Sequence, residues 1–481
     1  MLPPNVARPR YDRRRQRIGI IHLGIGAFHR AHQAVYTDEA LSAGDKDWAI
    51  AGVSLRARTV HDQLMPQDGL YTVSESDNGG NTTRLVAAIR EVIVAREQPA
   101  RVIDLLASPD VRIVSLTITE NGYQRAADQS LDFSAPEVAA DLSGIASPQS
   151  IYGFLAAALA RRRAAGVPGL TLLSCDNLTA NGRQLSRLLE SFLERRDTQL
   201  VCWFRAECAC PSTMVDRIVP TTTVASLDTV AARLGQHDAG AVFTEPFSQW
   251  VIEDRFAGPH PRWDVGGAQF VSDVQPYELA KLRMLNGAHS ALAYLGLFRG
   301  HQFVHEAVAD QQVRGVVEKL MRVEAAASLP AVIGFDPEAY ADRLLERFAN
   351  RALLHRLAQI AMDGSQKIPQ RWLPTLRYHQ QRGRLCSALL KSLAAWIAYV
   401  RADRFSVEDP RAADLARLWQ AAGHEQIVAA LFGPDGYFHH DWIANESEAQ
   451  VLRQELQRYT ANAVVSPREE RERTSGDACR E

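Results

Sequence analysis

Short apolar runs and amphipathic helical patterns alternate along the first half of the chain. The apolar runs predict β-strands at 17–23, 48–53, 70–74, 83–95, 111–118 and 170–174, and the helical patterns predict helices at 99–106, 151–165 and 181–195. Strands that alternate with helices in this way are typical of an α/β fold built on a parallel sheet. We therefore predict an α/β fold for this part of the chain.

The pattern changes near residue 273. Helical patterns rich in leucine, alanine and arginine then continue to about residue 459, with helices expected at 341–348, 352–362, 384–400 and 411–422 and a turn at 363–367. We predict two domains: residues 1–272, which begin with an arm rich in proline and arginine, and a mostly α-helical domain of residues 273–481. The tail from about residue 466 is charged and lacks core residues, which predicts disorder.

A glycine-rich turn follows the first predicted strand and leads into a helical pattern. Its residues, which are the candidate cofactor-binding residues, are Gly24, Ile25, Gly26, Ala27, Phe28 and His29. Glycines allow a tight turn and the close approach of a pyrophosphate to a helix N-terminus. His29 stands where a G-x-G-x-x-G motif has its third glycine, so the helix and strand must pack differently here. The turn predicts a dinucleotide site.

The end of the second strand leaves the choice of dinucleotide open. An acidic residue in this place usually binds the ribose hydroxyls of NAD, whereas an arginine accommodates the 2′-phosphate of NADP. Residues 54–58 contain no carboxylate, but they include Arg56 and Arg58. A solvated loop with two surface arginines is an equally good interpretation.

An otherwise apolar helical pattern that starts near Pro276 contains several polar residues. They are Glu278, Lys281, Asn286 and His289. At about 100° per residue they fall within an arc of roughly 140°, beside a stripe formed by Leu282, Leu285, Leu292 and Leu295. A partly buried lysine loses its proton more easily and is then a general base, while a neighbouring amide and imidazole can polarise an alcohol oxygen. The alternative is an amphipathic helix with a lysine reaching solvent and a hydrogen-bonded core histidine.

Two further segments place polar residues next to predicted strands. Residues 174–177 end on Asn177 at the carboxyl end of a strand, where open α/β sheets bind ligands, although an Asx turn would also explain them. Asp216 and Arg217 interrupt an apolar run, which is consistent either with a ligand-binding aspartate or with a buried ion pair.

The bulk composition excludes several classes of protein. Hydrophobic residues make up 46% and charged residues 23% of the 481 residues, and a net charge of −2 provides no basic field for nucleic acid or an anionic membrane. The chain shows neither a signal peptide nor a membrane-spanning apolar run, so we expect a cytoplasmic location. The cluster Cys202, Cys208 and Cys210 lacks a nearby histidine and is a poor zinc site, so we expect no metal.

Six segments, in this order, carry a resemblance to a known family. They are HLGIGAFHRAHQAVYTDEAL, SCDNLTANG, STMVDRIVP, EPFSQWVIED, PYELAKLRMLNGAHSALAYLG and DGSQKIPQR. Over nearly its whole length the chain resembles the long-chain mannitol dehydrogenase family of metal-independent, NAD-dependent polyol and sugar-acid dehydrogenases. The resemblance implies an N-terminal Rossmann-type NAD-binding domain followed by a mostly α-helical substrate and catalytic domain, and a role in carbohydrate metabolism.

The resemblance also implies roles for the polar residues. Lys281 is expected to be the general base, and Asn286 and Asn177 are expected to hold the developing alkoxide as an oxyanion hole. His289 is expected to orient the substrate, and Glu278 to relay the proton from the lysine towards solvent.

Substrate recognition is implied less sharply. The family's substrate-binding aspartate corresponds to Asp216, and Lys367 is expected to contact the far end of the substrate. Within the family the motifs are most similar to the branch that interconverts fructuronate and mannonate, and Gln359 stands where mannitol-oxidising members carry an arginine. For a sugar acid, Lys367 and Arg371 are the candidate cations for the carboxylate.

Other functions stay open at this stage. Mannitol 2-dehydrogenase or another polyol dehydrogenase, acting on fructose and mannitol, arabinitol, or tagaturonate and altronate, is the main alternative. A protein that binds a dinucleotide but catalyses no reaction belongs to a different class. Such a protein would be expected to have lost the polar residues of the helix face, whereas Lys281, Asn286 and His289 are all residue types that can take part in catalysis. We expect small-molecule partners only, NAD with NADP not excluded, and a monomer or small homo-oligomer.

Metal removal tests the lysine mechanism. A dehydrogenase that uses an amine base and two amides needs no Lewis acid, so NADH oxidation with fructuronate or fructose should be unchanged after dialysis against EDTA. Complete loss of activity on chelation, restored by added zinc, would overturn the assignment of Lys281 as the base.

Overall fold

The computed structural model describes residues 3–144, 147–331 and 335–460. The chain divides into two compact units, Met1–Tyr277 (unit 1) and Glu278–Glu481 (unit 2), a few residues after the boundary proposed from the sequence. The tail from 466, for which the sequence predicts disorder, lies outside the described residues. Within the described residues, no helix is both long and apolar enough to cross a membrane.

A parallel sheet forms the centre of unit 1. The strands of the unit are β1 (Val6–Ala7), β2 (Ile18–Leu23), β3 (Ala49–Ser54), β4 (Tyr71–Asp77), β5 (Gly80–Val86), β6 (Ile89–Val94), β7 (Ile113–Leu116), β8 (Thr171–Ser174), β9 (Thr213–Asp216), β10 (Val242–Thr244), β11 (Gln249–Glu253) and β12 (Gln269–Val271). The 5-stranded sheet has the order β6-β3-β2-β7-β8, and all its neighbouring strands are parallel. Since β2 lies in the middle, the connections reverse there as in a doubly wound nucleotide-binding domain, which confirms the predicted α/β fold.

Both faces of this sheet are covered. Ile21, Leu23 and Val114 belong to one hydrophobic core, whereas Ile20 and Ile50 belong to a second core on the other face. The helices of unit 1 are α1 (Ala27–Ala31), α2 (Gln33–Ser42), α3 (Thr59–Leu64), α4 (Pro99–Ala107), α5 (Thr119–Gly122), α6 (Pro136–Ser143), α7 (Ile151–Ala164), α8 (Asn181–Arg196), α9 (Thr198–Glu207) and α10 (Val224–Leu234), with 3₁₀ turns at Arg13–Arg15, Met65–Gln67 and Trp263–Gly266. Burial on both faces explains why these strands are continuous apolar runs in the sequence.

Two smaller sheets complete unit 1, with the orders β1-β5-β4-β10 and β12-β11-β9. The single strand predicted at 83–95 is wrong, because β5 and β6 lie in different sheets. The backbone N–H of Ala87, between them, donates to Asp38 Oδ1 (2.9 Å) instead of to a neighbouring strand. The N-terminal arm also contributes a strand, since Val6 pairs with Thr83 in parallel register.

Unit 2 is helical, as the sequence predicts. Its elements begin with α11 (Gln275–Ala280), which spans the division between the units, and continue with a π-helical segment (Lys281–Asn286), α12 (Gly287–Phe298), α13 (Val304–Ala309), α14 (Gln311–Lys319), a second π-helical segment (Leu320–Ala325), α15 (Pro337–Phe348), α16 (Leu357–Ala361), α17 (Gly364–Arg371), α18 (Leu373–Gln380), α19 (Ser387–Tyr399), α20 (Ala412–Phe432) and α21 (Glu446–Thr460). The core of the unit surrounds α12 and α19, with Leu292 and Trp396 fully buried.

The predicted helix at 352–362 is too long. Only Leu357–Ala361 is helical, because Arg356 forms a β-bridge with Phe303 and keeps the preceding residues out of the helix. This partner is distant in sequence, so no local pattern announces it.

The predicted turn at 363–367 is also wrong, since Asp363 alone has a turn conformation (φ 56°) and Gly364 begins α17. A Cβ on Gly364 would lie 2.4 Å from Nε1 of Trp396, so only glycine fits this position. The first backbone N–H groups of the helix need acceptors, and Asp409 accepts from the backbone of Ser365 (2.7 Å). A tertiary contact therefore starts a helix where the residue types favour a turn.

The glycine turn after β2 gives a stability test. Gly24 has φ +90°, and a Cβ there would lie 2.2 Å from the carbonyl oxygen of Thr117, whereas a Cβ on Gly26 would meet nothing closer than 3.8 Å. Gly24→Ala should therefore cost more than the about 1–3 kcal/mol of backbone strain alone, and Gly26→Ala should change the free energy of unfolding by only about 0.5 kcal/mol. Thermal unfolding of both variants without ligand checks this, and equal losses would contradict it.

Candidate active site

In unit 1 the glycine turn is anchored between two strand ends. The backbone N–H of Gly24 donates to the carbonyl oxygen of Val53 (2.8 Å), and the hydroxyl of Thr117 donates to the carbonyl oxygen of Gly24 (2.9 Å). The turn therefore links the carboxyl ends of β2, β3 and β7, where a doubly wound sheet binds its ligand.

A pair of buried imidazoles lies behind this turn. The ring of His29 stacks on the ring of His22 with centroids 3.4 Å apart, and the nitrogens of His22 lie 2.8 Å from the hydroxyls of Ser115 and Thr117. Burial lowers the pKa of His22 to about 3 and that of His29 well below its ordinary value, so both rings are neutral. His29 fills the space that a third glycine would leave open and is fully buried, so its effect on a cofactor would be indirect.

A cavity of about 800 Å³ opens at the same strand ends. Its lining includes residues from the ends of three parallel strands and from α6, among them Gly24, Ile25, Ser54, Arg56, Thr117 and Glu137. Because Gly24 lacks a Cβ, the wall beside the turn is bare backbone. This volume lies in the range of small-molecule sites, and the residues present fit a dinucleotide.

The arginines that could bind a 2′-phosphate are both engaged. Nη2 of Arg56 lies 2.7 Å from both carboxylate oxygens of Glu137, and Arg58 pairs with Glu97 and, at 3.3 Å, with Asp62. Sequence reasoning missed Glu137, because it follows its partner Arg56 by 81 residues and comes from helix α6 rather than from the end of β3.

The segment after β8 contains buried residues that hold the loop and one exposed asparagine. Asp176 accepts hydrogen bonds from the backbone N–H groups of Ile118 (3.1 Å) and Thr119 (2.8 Å), and burial raises its pKa. The amide of Asn181 is fully buried and donates to the carbonyl oxygen of Asp176 (3.0 Å). These contacts hold the loop, while Asn177 itself is exposed at the carboxyl end of the sheet.

Asp216 ends β9 and is buried. The ion pair considered for Asp216 and Arg217 is not what holds the arginine, because Arg217 pairs with Glu75 (2.5 Å) and donates to the carbonyl oxygens of Ala31 and Glu245. Arg217 is thus structural.

In unit 2 the helix that carries Lys281, Asn286 and His289, called the polar helix here, is not a regular α-helix. A π-helical segment runs from Lys281 to Asn286, and the backbone N–H of Gly287 bonds to the carbonyl oxygen of Leu282, five residues earlier. In an α-helix two residues five apart diverge by about 140°, whereas i→i+5 bonding makes this divergence smaller. The arc deduced from α-helical geometry is therefore corrected, because the π segment brings Lys281 closer to the helix face that carries Asn286. Both residues are half-buried, as is Glu278 one turn earlier.

The imidazole of His289 is buried within unit 2. Its ring centroid is 4.7 Å from that of Phe348 and 5.4 Å from that of His355, and neither nitrogen has a hydrogen-bond partner in the part of the chain that the structure describes. Burial lowers its pKa well below the ordinary value, and the charges of His355, Arg347 and Arg371 lower it further. His289 therefore presents a neutral imidazole. No sequence signal marked Phe348 or His355.

Helix α17 supports the polar helix from the side. Nη1 of Arg371 donates to the hydroxyl of Ser290 (2.8 Å) and the carbonyl oxygen of Asn286 (3.2 Å), and Nε1 of Trp372 donates to the carbonyl oxygen of Gly287 (3.0 Å). Burial lowers the pKa of Arg371 to about 10. This guanidinium is committed to the helix, which weakens its candidacy as a substrate ligand.

Lys367, on the same helix, has a weaker commitment. Its Nζ donates to the carbonyl oxygen of Met362 (2.6 Å) and lies 3.8 Å from the carboxylate of Asp363. Burial and the charge of Arg371 lower the pKa of Lys367. Lys367 is half-buried, so its ammonium group also remains partly accessible.

Residues 3–144, 147–331 and 335–460 contain no group of three or more His, Cys, Asp or Glu side chains that could hold a metal ion. The described cysteines are free thiols, and Cys202 is exposed whereas Cys210 is buried.

Comparison with known proteins matches both units. The family model described as the mannitol dehydrogenase Rossmann domain matches residues 18–265, and the mannitol dehydrogenase C-terminal domain matches residues 273–460. The chain is 40% identical to D-mannonate oxidoreductase of Escherichia coli (strain K12), over 92% of this chain and 93% of that protein. It is 38% identical to mannitol 2-dehydrogenase of Phaeosphaeria nodorum, over 90% of this chain and 78% of that protein.

A solved structure is similar over the whole length. Mannitol 2-dehydrogenase of Pseudomonas fluorescens, in a ternary complex with NAD and D-mannitol, is 36% identical, with a TM-score of 0.79 over 96% of this chain and 94% of that one. Because both family models match and relatives align over most of their length, the chain belongs to the mannitol dehydrogenase family.

Proposed function

We propose that this protein interconverts D-fructuronate and D-mannonate with NAD(H). At the coarser level it is an NAD-dependent dehydrogenase of polyols or sugar acids, as its family and its relatives indicate. The observation that carries the proposal is the π-helical segment from Lys281 to Asn286, which brings these two residues closer to one helix face, with the neutral His289 on the same helix.

The reaction requires a proton acceptor and a means to hold charge on oxygen. NAD held at Gly24 and Ile25 would supply the acceptor for the hydride of the alcohol carbon. As the hydride leaves, Lys281 accepts the hydroxyl proton, and Glu278 relays it towards solvent. Asn286 and Asn177 donate to the developing alkoxide, because amide donors aimed at an oxyanion stabilise it without changing their own charge.

The remaining residues orient the substrate. With no hydrogen-bond partner among the described residues, the neutral imidazole of His289 is available to a substrate hydroxyl. Asp216, buried at the end of β9, is proposed to accept from another hydroxyl. In unit 1, Gly24 and Ile25 line the cavity that fits the dinucleotide, while the rest of the turn supports it.

The carboxylate of a sugar acid needs a cation away from the reacting carbon. Arg371 is held by Ser290 and Asn286, so we assign this role to Lys367. A polyol offers no charge to Lys367, and the ammonium group of Lys367 would then keep only its contacts with Ile360, Met362 and Asp363. The cation therefore favours the acid over the polyol.

Mannitol oxidation is the second candidate. It is supported by the similarity to mannitol 2-dehydrogenases over most of the chain, at an identity close to that of the mannonate oxidoreductase. Against it stands Gln359, an exposed residue of α16, where mannitol-oxidising members are expected to carry an arginine.

Substrate charge is tested with a panel of fructuronate, tagaturonate, fructose and xylulose, while NADH oxidation is followed. Fructuronate should give the highest kcat/KM, and Lys367→Met should lower that value by about tenfold or more while fructose changes little, since one charged hydrogen bond is lost. Lys391→Met, a half-exposed lysine on α19, is the matched control. Equal losses for both substrates would leave Lys367 a structural residue.

The catalytic lysine is tested directly. Lys281→Ala should lower kcat by about 10²- to 10⁴-fold because the general base is missing, while NADH binding stays nearly intact. In the wild type the oxidation rate should rise with pH, because only the neutral amine accepts a proton, and the reduction rate should fall. A small primary amine in solution should restore part of the activity of Lys281→Ala. A variant with near-wild-type kcat and an unchanged pH profile would show that the mechanism is wrong.

A further inference from the structure

The carboxylate that the sequence lacks at the end of β3 is supplied from elsewhere in unit 1. Glu137 lies in the first turn of α6, lines the dinucleotide cavity, and meets Arg56 with both oxygens at 2.7 Å. Gln124 donates to the same carboxylate (3.3 Å), and Arg96 lies 3.8 Å away. The side chain of Glu137 is only 19% exposed, whereas that of Arg56 is 59% exposed. The carboxylate is therefore the fixed partner and the guanidinium the mobile one.

Arg56 and Arg58, which follow β3, are each paired with a carboxylate. Arg58 pairs with Glu97 and Asp62 in the same way as Arg56 pairs with Glu137. A 2′-phosphate arriving here would meet one carboxylate on the cavity wall and an arginine already occupied by it. A 2′-hydroxyl carries no charge, so it meets no such repulsion and can donate to a carboxylate.

We infer that Glu137 sets the preference of this enzyme for NAD(H) over NADP(H). It does so by engaging Arg56 and by placing negative charge where the 2′-phosphate would bind. The inference rests on the proposed use of a nicotinamide dinucleotide by this cavity and adds the residue that selects between its two forms. Arg56 alone would favour the phosphorylated cofactor.

Substitutions of Glu137 and of Arg56 should shift the cofactor preference in opposite directions. Glu137→Gln keeps the size and one hydrogen bond of the side chain but removes the charge, so Arg56 becomes available and the Kd ratio of NADPH to NADH should fall by about tenfold. Arg56→Gln leaves the carboxylate without its nearest cation, so the same ratio should rise. The double variant should return towards a ratio set by neither charge.

Binding is measured by the fluorescence of NADH and NADPH with the full-length protein, and thermal unfolding checks that each variant is folded. Glu97→Gln is the matched control, because it breaks an equivalent pair with Arg58 outside the cavity lining and should leave the ratio unchanged. Glu137→Asp, which keeps the charge but shortens the side chain, should keep the preference for NADH and serves if Glu137→Gln does not fold.

Each outcome is decisive. An unchanged ratio in folded Glu137→Gln, or an equal shift in Glu97→Gln, would overturn the role of Glu137 while leaving the dehydrogenase assignment intact. A wild-type protein that binds neither NADH nor NADPH would instead overturn the proposed function, and the inference with it. A shift in opposite directions for Glu137→Gln and Arg56→Gln would support the inference.

Discussion

The π-helical segment from Lys281 to Asn286 is the constraint on which the candidate chemistry depends. A π segment is less favourable than a continuous α-helix, and such segments are found mostly at functional sites. Here it is held from outside, because Arg371 and Trp372 donate to the carbonyl oxygens of Asn286 and Gly287, the residues at its end. Bonds from Arg371 and Trp372 therefore hold the end of the segment that carries the lysine and the amide.

In unit 1 the candidate residues are positioned in a related way. Buried polar side chains bind backbone groups where strands end: Asp176 holds the backbone of Thr119, and Thr117 holds the carbonyl of Gly24. A buried polar group that is fully hydrogen-bonded fixes a loop, whereas an unsatisfied one would cost stability. With the loops fixed by these residues, Asn177 and the bare backbone of the glycine turn are the groups that remain at the surface.

Much of the fold was predictable because the relevant information is local. Strands buried on both faces are apolar runs, so β2, β3 and β8 were predicted within about a residue or two. The glycine turn was predictable because Gly24 needs φ +90°. Local patterns failed where a distant partner decides the structure. Asp38 divides the run at 83–95, and Asp409 starts a helix at a segment of turn residues.

The candidate site follows the same division. Residue type and spacing marked Lys281 and Asn286 as candidates. The helical pattern gave no sign of the π segment, because no particular residue types indicate i→i+5 bonding. Glu137 was missed because its partner Arg56 is far away in sequence. Phe348 and His355 were missed because a side chain that only packs against an imidazole carries no motif.

Burial also determines how three histidines respond to pH. His22, His29 and His289 all have a pKa below the ordinary value, and desolvation is the largest cause in each case. The unfolded chain binds protons at these histidines near pH 6.5 and the folded chain does not. The stability of the folded chain is therefore greatest above that pH and decreases as the pH falls below it. None of the three changes charge in the folded protein between neutral and alkaline pH. A rate that changes over that range therefore has to be attributed to another group, and Lys281 is the group that we propose.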